Sequence, residues 1–489
     1  MVGSEAVPFA KTGGLADVLG ALPQALGRLG WDVTVALPRY RSVAAGDLAD
    51  RFDVRLGGFT ASVGFHISPI ADRVRALLVD VPELYDRDGL YGVGDADYPD
   101  NARRFGMLAR AALEFAARQP VRPAVIHAHD WQAGLVPVYL KTLYAAHPAL
   151  AGAASVFTVH NLAFQGLFEA DWLPRLDLPW SLLSIDRLEY WGRVSFLKGG
   201  INDAEIVTTV SRSYAAEIQM PQHGFGFDGI LRRRAADLVG ILNGIDVLAW
   251  NPATDAHLPA PYDANDLSGK AASKHEVLTQ FGLPADEVAM ARPLVGMISR
   301  MVAQKGLDLI ARLSSDLPSL DVAFVVLGTG EPKYQDVWRT LAAAHPSRIG
   351  VRIGFDERLA HLIEAGADIF LMPSQFEPCG LNQMYSLRYG TVPVVRAVGG
   401  LADTVRDKTL GPGRPATGFA FQDYSPAALL DALERALAAF KDRREWRALQ
   451  RAGMKQDLSW DRSAREYVRI YGRAMKAART VVGKTGHGG

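Results

Sequence analysis

Short β-branched and aliphatic runs alternate with longer amphipathic stretches along nearly the whole chain. In the first half, residues 33–37, 74–81, 124–127, 155–159 and 206–210 read as strands. In the second half, residues 294–298, 322–327, 351–353, 369–372 and 392–395 do the same. Most are unbroken apolar runs rather than alternations, the pattern of strands buried on both faces of a parallel sheet. Between them, 101–118, 307–313 and 426–440 repeat apolar positions at helical spacing. The rhythm predicts a doubly wound α/β architecture, built twice.

A chain of 489 residues is too long for one hydrophobic core, so two large domains are expected. The boundary is placed between 243 and 262, where Asn251-Pro252, Pro259 and Pro261 interrupt the rhythm. This gives domains over 1–245 and 246–457, a final helix over 458–478 packing back on the first domain, and a disordered tail over 479–489. A first parallel strand should precede Ser4-Glu5, yet only Met1-Val2-Gly3 stand there. The expectation is a misassigned or truncated start.

Composition narrows the partners. Lys plus Arg and Asp plus Glu both number 53, so no global field recruits nucleic acid or an anionic membrane surface. An anionic ligand must be held by a local cluster instead. No apolar run approaches membrane-spanning length, and the N-terminal residues present carry no basic segment followed by an apolar stretch. The one cysteine, Cys379, excludes an internal disulfide and a cysteine-built metal site. The expected compartment is the cytoplasm.

The pentapeptide Gly-Gly-Leu-Ala-Asp occurs twice, at Gly13 to Asp17 after Lys11-Thr12 and at Gly399 to Asp403 after the strand run 392–395. A glycine pair between strand and helix lets backbone N–H groups approach a ligand that a Cβ would exclude. In an open α/β sheet, ligands sit outside the carboxyl ends of the strands. Arg300 and Lys305 fall at such an end, five positions apart across a turn, where both could grip a diphosphate; a solvated basic turn is the plainer alternative. The stretch from Pro373 to Leu381 follows the run 369–372 and leads into a helix. The N–H groups of Gly380, Leu381 and Asn382 would then lie at a helix N-terminus, which favours a phosphate. Glu377, being negative, would accept hydrogen bonds from sugar hydroxyls or stabilise positive charge developing at a sugar carbon.

In the first half, His127-Ala128-His129-Asp130-Trp131 closes one strand and Thr158-Val159-His160-Asn161 the next. No glutamate or cysteine completes a familiar metal spacing, so no metal site is expected. Polar groups at adjacent strand ends, with Trp131 as an apolar platform, suit sugar binding better. His127 is expected to point into the sheet packing. Arg232-Arg233-Arg234 is expected to be a solvated helical face.

Taken together, these motifs resemble the bacterial and plant glycogen and starch synthases, retaining glucosyltransferases that use ADP-glucose. The resemblance runs from Ser4 to about Tyr471. It rests on Lys11 to Asp17, His129-Asp130-Trp131, His160-Asn161, Asn243-Gly244-Ile245-Asp246, Arg300 to Gly306 and Glu377 to Gly390. It implies two Rossmann-like domains facing a deep cleft, the GT-B type of fold. It also implies an ADP-glucose donor, an α-1,4-glucan acceptor such as glycogen, and no cofactor.

By the same resemblance, Lys11, Gly13, Gly14 and Asp17 stand at the donor from the first domain. Arg300 and Lys305 neutralise the leaving diphosphate, and Glu377 faces the donor glucose. His160, Asp130 and Asn161 surround the glucosyl ring and acceptor. Asn243, Cys379, Gly380, Leu381 and Asn382 complete the substrate contacts, and Phe355 lies against adenine. Tyr385, eight positions after Glu377, agrees with this family where wider relatives carry a second glutamate. The implied reaction keeps the α configuration by front-face attack, with the departing phosphate accepting the proton rather than a second carboxylate. A same-fold transferase using UDP-glucose or another nucleotide sugar, and a non-catalytic glucan-binding protein, are the competing readings.

Overall fold

The unbroken apolar runs form parallel strands in both halves of the chain. The computed structural model describes residues 1–94, 96–407, 409 and 415–485, with side chains to residue 479. The chain divides into two units, Met1–Gly244 with Trp460–Gly489, and Ile245–Ser459.

In the first unit, Val125–His129, Ala154–Val159, Ile206–Thr209 and Leu238–Gly240 pair successively in parallel. Val33–Pro38 pairs in parallel with Val74–Asp80. Val2 joins the two groups through parallel bridges to Ala36 and Ala128. Its N–H donates to the His127 carbonyl (2.8 Å), and its own carbonyl accepts from His129 N–H (3.0 Å). The strand position expected upstream of Ser4 is thus occupied by Met1–Gly3, in the middle of the sheet. The sheet is extended past Val74–Asp80 by an antiparallel hairpin, Asp47–Leu56 with Phe59–Ala71, that the apolar pattern did not predict. Asp47–Leu56 is largely exposed, so it lacks the continuous apolar run of a buried strand.

The second unit is a six-stranded, fully parallel sheet. Numbered along the chain, its strands are Leu294–Met301, Ala323–Gly330, Ile349–Ile353, Ile369–Met372, Val392–Arg396 and Phe419–Phe421. Their spatial order is 3-2-1-4-5-6, the arrangement of dinucleotide-binding folds. The order reverses between the first and fourth strands, where Val295 pairs with Ile369. Val295, Val326, Leu371, Val394 and Trp338 lie in its core with helix residues Ile310 and Leu433. Each such buried side chain contributes roughly 1.5–3 kcal/mol relative to exposure.

The proline-rich stretch after residue 245 is packed into the second unit. Trp250 stacks between His361 and Tyr385, with ring centroids at 3.7 and 3.8 Å. Tyr262 is buried and donates to the Tyr389 carbonyl at 2.8 Å. The last helix spans Trp460–Thr485 within the first unit, longer than the expected 458–478. Residues 486–489 of the expected tail lie outside the described residues.

The arginine triplet corrects one expectation. Arg232 and Arg233 are exposed and pair with Asp228 and Asp186, but Arg234 is half-buried. Its guanidinium donates to the carbonyls of Ile201, Asn202, Ala204 and Glu205, at the C-terminal end of the helix Phe196–Asp203. A fork of donors satisfies carbonyls that a helix end leaves unpaired.

Candidate active site

The second unit's site lies where its strand order reverses. Arg300 is exposed near the end of Leu294–Met301. The chain then makes a single turn, Ala303–Lys305, before the helix Leu307–Arg312. Gly306 holds that turn with φ +78, and a Cβ there would lie 2.2 Å from the Pro373 carbonyl oxygen. Only glycine permits this approach to the exit of the fourth strand.

The approach brings Lys305 to Glu377. Lys305 Nζ is 2.5 Å from Glu377 Oε2, and Ser374 Oγ donates to the same oxygen at 3.0 Å. The Glu377 side chain is buried and that of Lys305 mostly so. An opposite charge and a hydroxyl hold a carboxylate that burial alone would disfavour. Asn382 ties the segment across the reversal point, Nδ2 to the Ile298 carbonyl at 2.7 Å. Gly380 carries φ +71, and the helix after it spans Asn382–Arg388. Cys379 is buried. Phe355 follows the strand Ile349–Ile353 and stands 87% exposed.

Gly399 and Gly400 support Glu377 from beneath. Gly400 N–H donates to the Glu377 carbonyl at 3.1 Å. A Cβ on Gly399 would lie 1.9 Å from that carbonyl oxygen, and one on Gly400 would lie 1.9 Å from the Cys379 carbonyl oxygen. The second Gly-Gly-Leu-Ala-Asp is therefore packed against the protein's own loop.

The first copy differs. No atom outside its chain neighbours lies within 4 Å of a Cβ built on Gly13 or Gly14. The N–H group of Gly13, expected to face a ligand, instead points at the carboxylate of Glu5, as does that of Thr12. Thr12 Oγ1 and Tyr91 OH also donate to Glu5. Burial pushes the Glu5 carboxyl above its ordinary value against these hydrogen bonds. Lys11 pairs with Asp17 at 2.7 Å, both at least partly exposed. Glu5 was missed by the sequence reading, although its place just after the first strand was a usable signal.

Asp130 and His160 come together at adjacent strand ends. Asp130 adopts φ +56, a left-handed backbone that costs a non-glycine residue energy. Its Oδ1 accepts from His160 N–H at 2.7 Å, and the carboxylate also takes the backbone N–H of Asn161. Burial pushes Asp130 from the ordinary 3.8 up to about 7. His160 Nε2 lies 3.0 Å from His129 Nδ1, and burial lowers His160 to about 3. His160 is therefore neutral at physiological pH. His127 is buried as expected, between Tyr471 OH (2.9 Å) and Thr158 Oγ1 (2.6 Å). Asn243 is buried, with its Oδ1 unsatisfied. Among the described residues, no group of three or more His, Cys, Asp or Glu is placed to hold a metal ion. None of their helices is long and apolar enough to cross a membrane.

Residues 1–233 match the starch synthase catalytic domain, and residues 285–452 match glycosyl transferases group 1. A glycogen synthase from Anaeromyxobacter dehalogenans (strain 2CP-C) is 50% identical over 474 residues, spanning 96% of this chain and 98% of that one. The chain belongs to the glycogen synthase family. A glycogen synthase from Koribacter versatilis is 47% identical, covering 97% of each chain. The catalytic domain of starch synthase IV from Arabidopsis thaliana, bound to ADP and acarbose, superposes with a TM-score of 0.88. It shares 36% identity over 97% of this chain and 98% of its own. Sucrose-phosphate synthase from Thermosynechococcus elongatus matches at a TM-score of 0.58 and 17% identity, a likeness of fold alone. Family membership makes the protein a glycosyltransferase of the two-domain GT-B type.

Proposed function

We propose that the protein transfers glucose from ADP-glucose to the non-reducing 4-hydroxyl of an α-1,4-glucan, with retention of the α configuration. The observation that carries this reading is the Lys305–Glu377–Ser374 cluster, with exposed Arg300 five positions before Lys305, at the strand-order reversal of the second unit. That is where such folds receive a nucleotide. The starch synthase IV catalytic domain, 36% identical to this chain, is bound to ADP and acarbose, which favours an adenine nucleotide as the donor's leaving group.

Departure of ADP places negative charge on the diphosphate and oxocarbenium character on the sugar. Arg300 and Lys305 stabilise the first charge, aided by the N–H groups of Gly380 and Leu381. Glu377 faces the donor glucose, its carboxylate held by Lys305 and Ser374. Phe355 offers an exposed ring for adenine. On the first unit, the same reading gives Lys11, Asp17, Asp130, His160 and Asn161 roles in substrate binding. Imidazole with a pKa near 3 is too weak a base to take the acceptor's proton at neutral pH. This favours proton transfer to the departing phosphate.

Diphosphate contacts do not distinguish bases, so a UDP-glucose donor is the reading to test against. Initial rates on glycogen with either donor decide it. The expected kcat/KM is about tenfold or more higher for ADP-glucose; equal or reversed values overturn the donor assignment.

A further inference from the structure

Three loops of the first unit expose aromatic rings and are tied to one carbonyl oxygen. Trp191 is 84% exposed, Phe164 55% and Phe225 39%. The Phe225 carbonyl accepts from Gln165 Nε2 and from Tyr190 OH, both at 2.8 Å. Those donors are the immediate chain neighbours of Phe164 and Trp191. The Tyr190 ring packs tilted against Phe227, with centroids 4.6 Å apart, and a Cβ on Gly226 would lie 2.2 Å from Tyr190 OH. The loops are therefore held closely to one another while their rings face solvent.

The backbone under two of these rings is strained. Glu189–Tyr190 and Arg193–Ser195 form an antiparallel hairpin, with Tyr190 opposite Arg193. The two-residue loop is Trp191-Gly192, with φ +52 and +78. A turn with both φ values positive suits Asn, Asp or Gly at its first position. A tryptophan there costs stability and gains no burial. Glu189 Oε1 accepts Gly192 N–H at 2.7 Å and holds the turn. Phe225 likewise has φ +47. Strained residues that expose large rings point to a ligand that uses the rings.

The chain places this ligand beside the His160–Asn161 turn. Phe164 N–H donates to the Asn161 carbonyl at 3.2 Å, and Ala163 N–H to Asn161 Oδ1 at 3.1 Å. Of the neighbouring charges, Arg193 pairs with Glu169, and Glu189 is engaged by the Gly192 N–H. That environment suits a neutral ligand with apolar faces and hydroxyl edges. A glucose ring has that form: its C–H faces lie flat on an aromatic ring while its hydroxyls stay in water.

We infer that Phe164, Trp191 and Phe225 form a binding surface for an α-glucan chain, continuing outward from the acceptor groups at His160 and Asn161. The inference rests on the transferase reading and names where the acceptor is held beyond its reacting end.

The test compares wild type with Trp191→Ala, Phe164→Ala and Trp191→Tyr, measuring maltoheptaose affinity by calorimetry and KM for maltoheptaose and ADP-glucose. For each alanine variant, maltoheptaose affinity should fall about tenfold, as for truncation of an aromatic anchor, with the ADP-glucose KM within about twofold of wild type. Trp191→Tyr, which keeps a ring face, should recover most of the affinity. Unchanged maltoheptaose affinity and KM in both alanine variants, with wild type active, overturn the surface alone. A wild type that binds maltoheptaose through Trp191 but transfers no glucose supports the surface and overturns the transferase reading. If Trp191→Ala fails to fold, Phe164→Ala and Trp191→Tyr still decide the matter.

Discussion

At the residue scale, the site turns on how buried charges are held. Glu377 has Lys305 and Ser374 on one carboxylate oxygen. Lys305→Ala removes the cation proposed for the diphosphate and leaves Glu377 buried without its ion pair. Steady-state kinetics should show kcat lower by about 10²- to 10³-fold, the cost of deleting one preorganised charge-stabilising group; near-normal kcat would remove Lys305 from the chemistry. Asp130 gives a pH-dependent expectation. Its carboxyl is raised from 3.8 to about 7 when folded. Its contribution is therefore fully present at low pH and is lost as pH rises from about 4 through about 7. Asp130→Asn keeps an oxygen for His160 N–H and does not titrate. Urea unfolding should show the variant gaining on wild type by roughly 2–3 kcal/mol between pH 5 and 7, at about 1.4 kcal/mol per pH unit, and no further above that. Parallel pH curves would contradict the buried-carboxylate account. The residue types of this site were legible in the sequence because each stands at, or within a few residues after, the end of a strand run. The Lys305–Glu377 pairing was not, since the residues are far apart in sequence and meet only through the Gly306 turn. The sequence reading gave them separate tasks, on diphosphate and on glucose.

At the element scale, two glycine pairs with identical sequence do different work. Gly13-Gly14 is open, while Gly399-Gly400 bears on the carbonyls of Glu377 and Cys379. The pentapeptide alone could not separate these, because what matters is the loop on the other side. Gly400→Ala should displace the Glu377 loop and lower kcat about tenfold or more, since small misplacements of reacting groups are costly. Its KM for glycogen should stay near wild type. A variant with normal kcat would show that the loop tolerates the added methyl group. The five strand runs read in each half all appear in the sheets. The hairpin Asp47–Leu56 with Phe59–Ala71 escaped because one strand is mostly exposed and polar. Its signal was the two-residue Gly57-Gly58 turn, with Gly57 at φ +58.

At the scale of the whole molecule, the chain leaves the first unit after Gly244 and returns to it at Trp460. The returning helix buries Ala464, Tyr467, Tyr471 and Ala474, and Tyr471 OH reaches His127 within the first unit's sheet. Truncation after Ser459 should therefore unprotect Val125–His129 and Ala154–Val159 in hydrogen exchange while leaving Leu294–Met301 protected. Equal protection in both sheets would show the helix to be dispensable. In both units polar groups gather at the carboxyl ends of parallel strands, in the second unit where the strand order reverses and in the first after the adjacent strands Val125–His129 and Ala154–Val159. The proposed chemistry follows from that placement. Its most direct test is proton NMR of ADP-glucose mixed with maltoheptaose and the protein. The donor's anomeric signal should fall while an α-1,4 anomeric signal rises in equal amount, without free glucose. A β-linked product, release of free glucose in place of transfer, or an unconsumed donor would contradict the account.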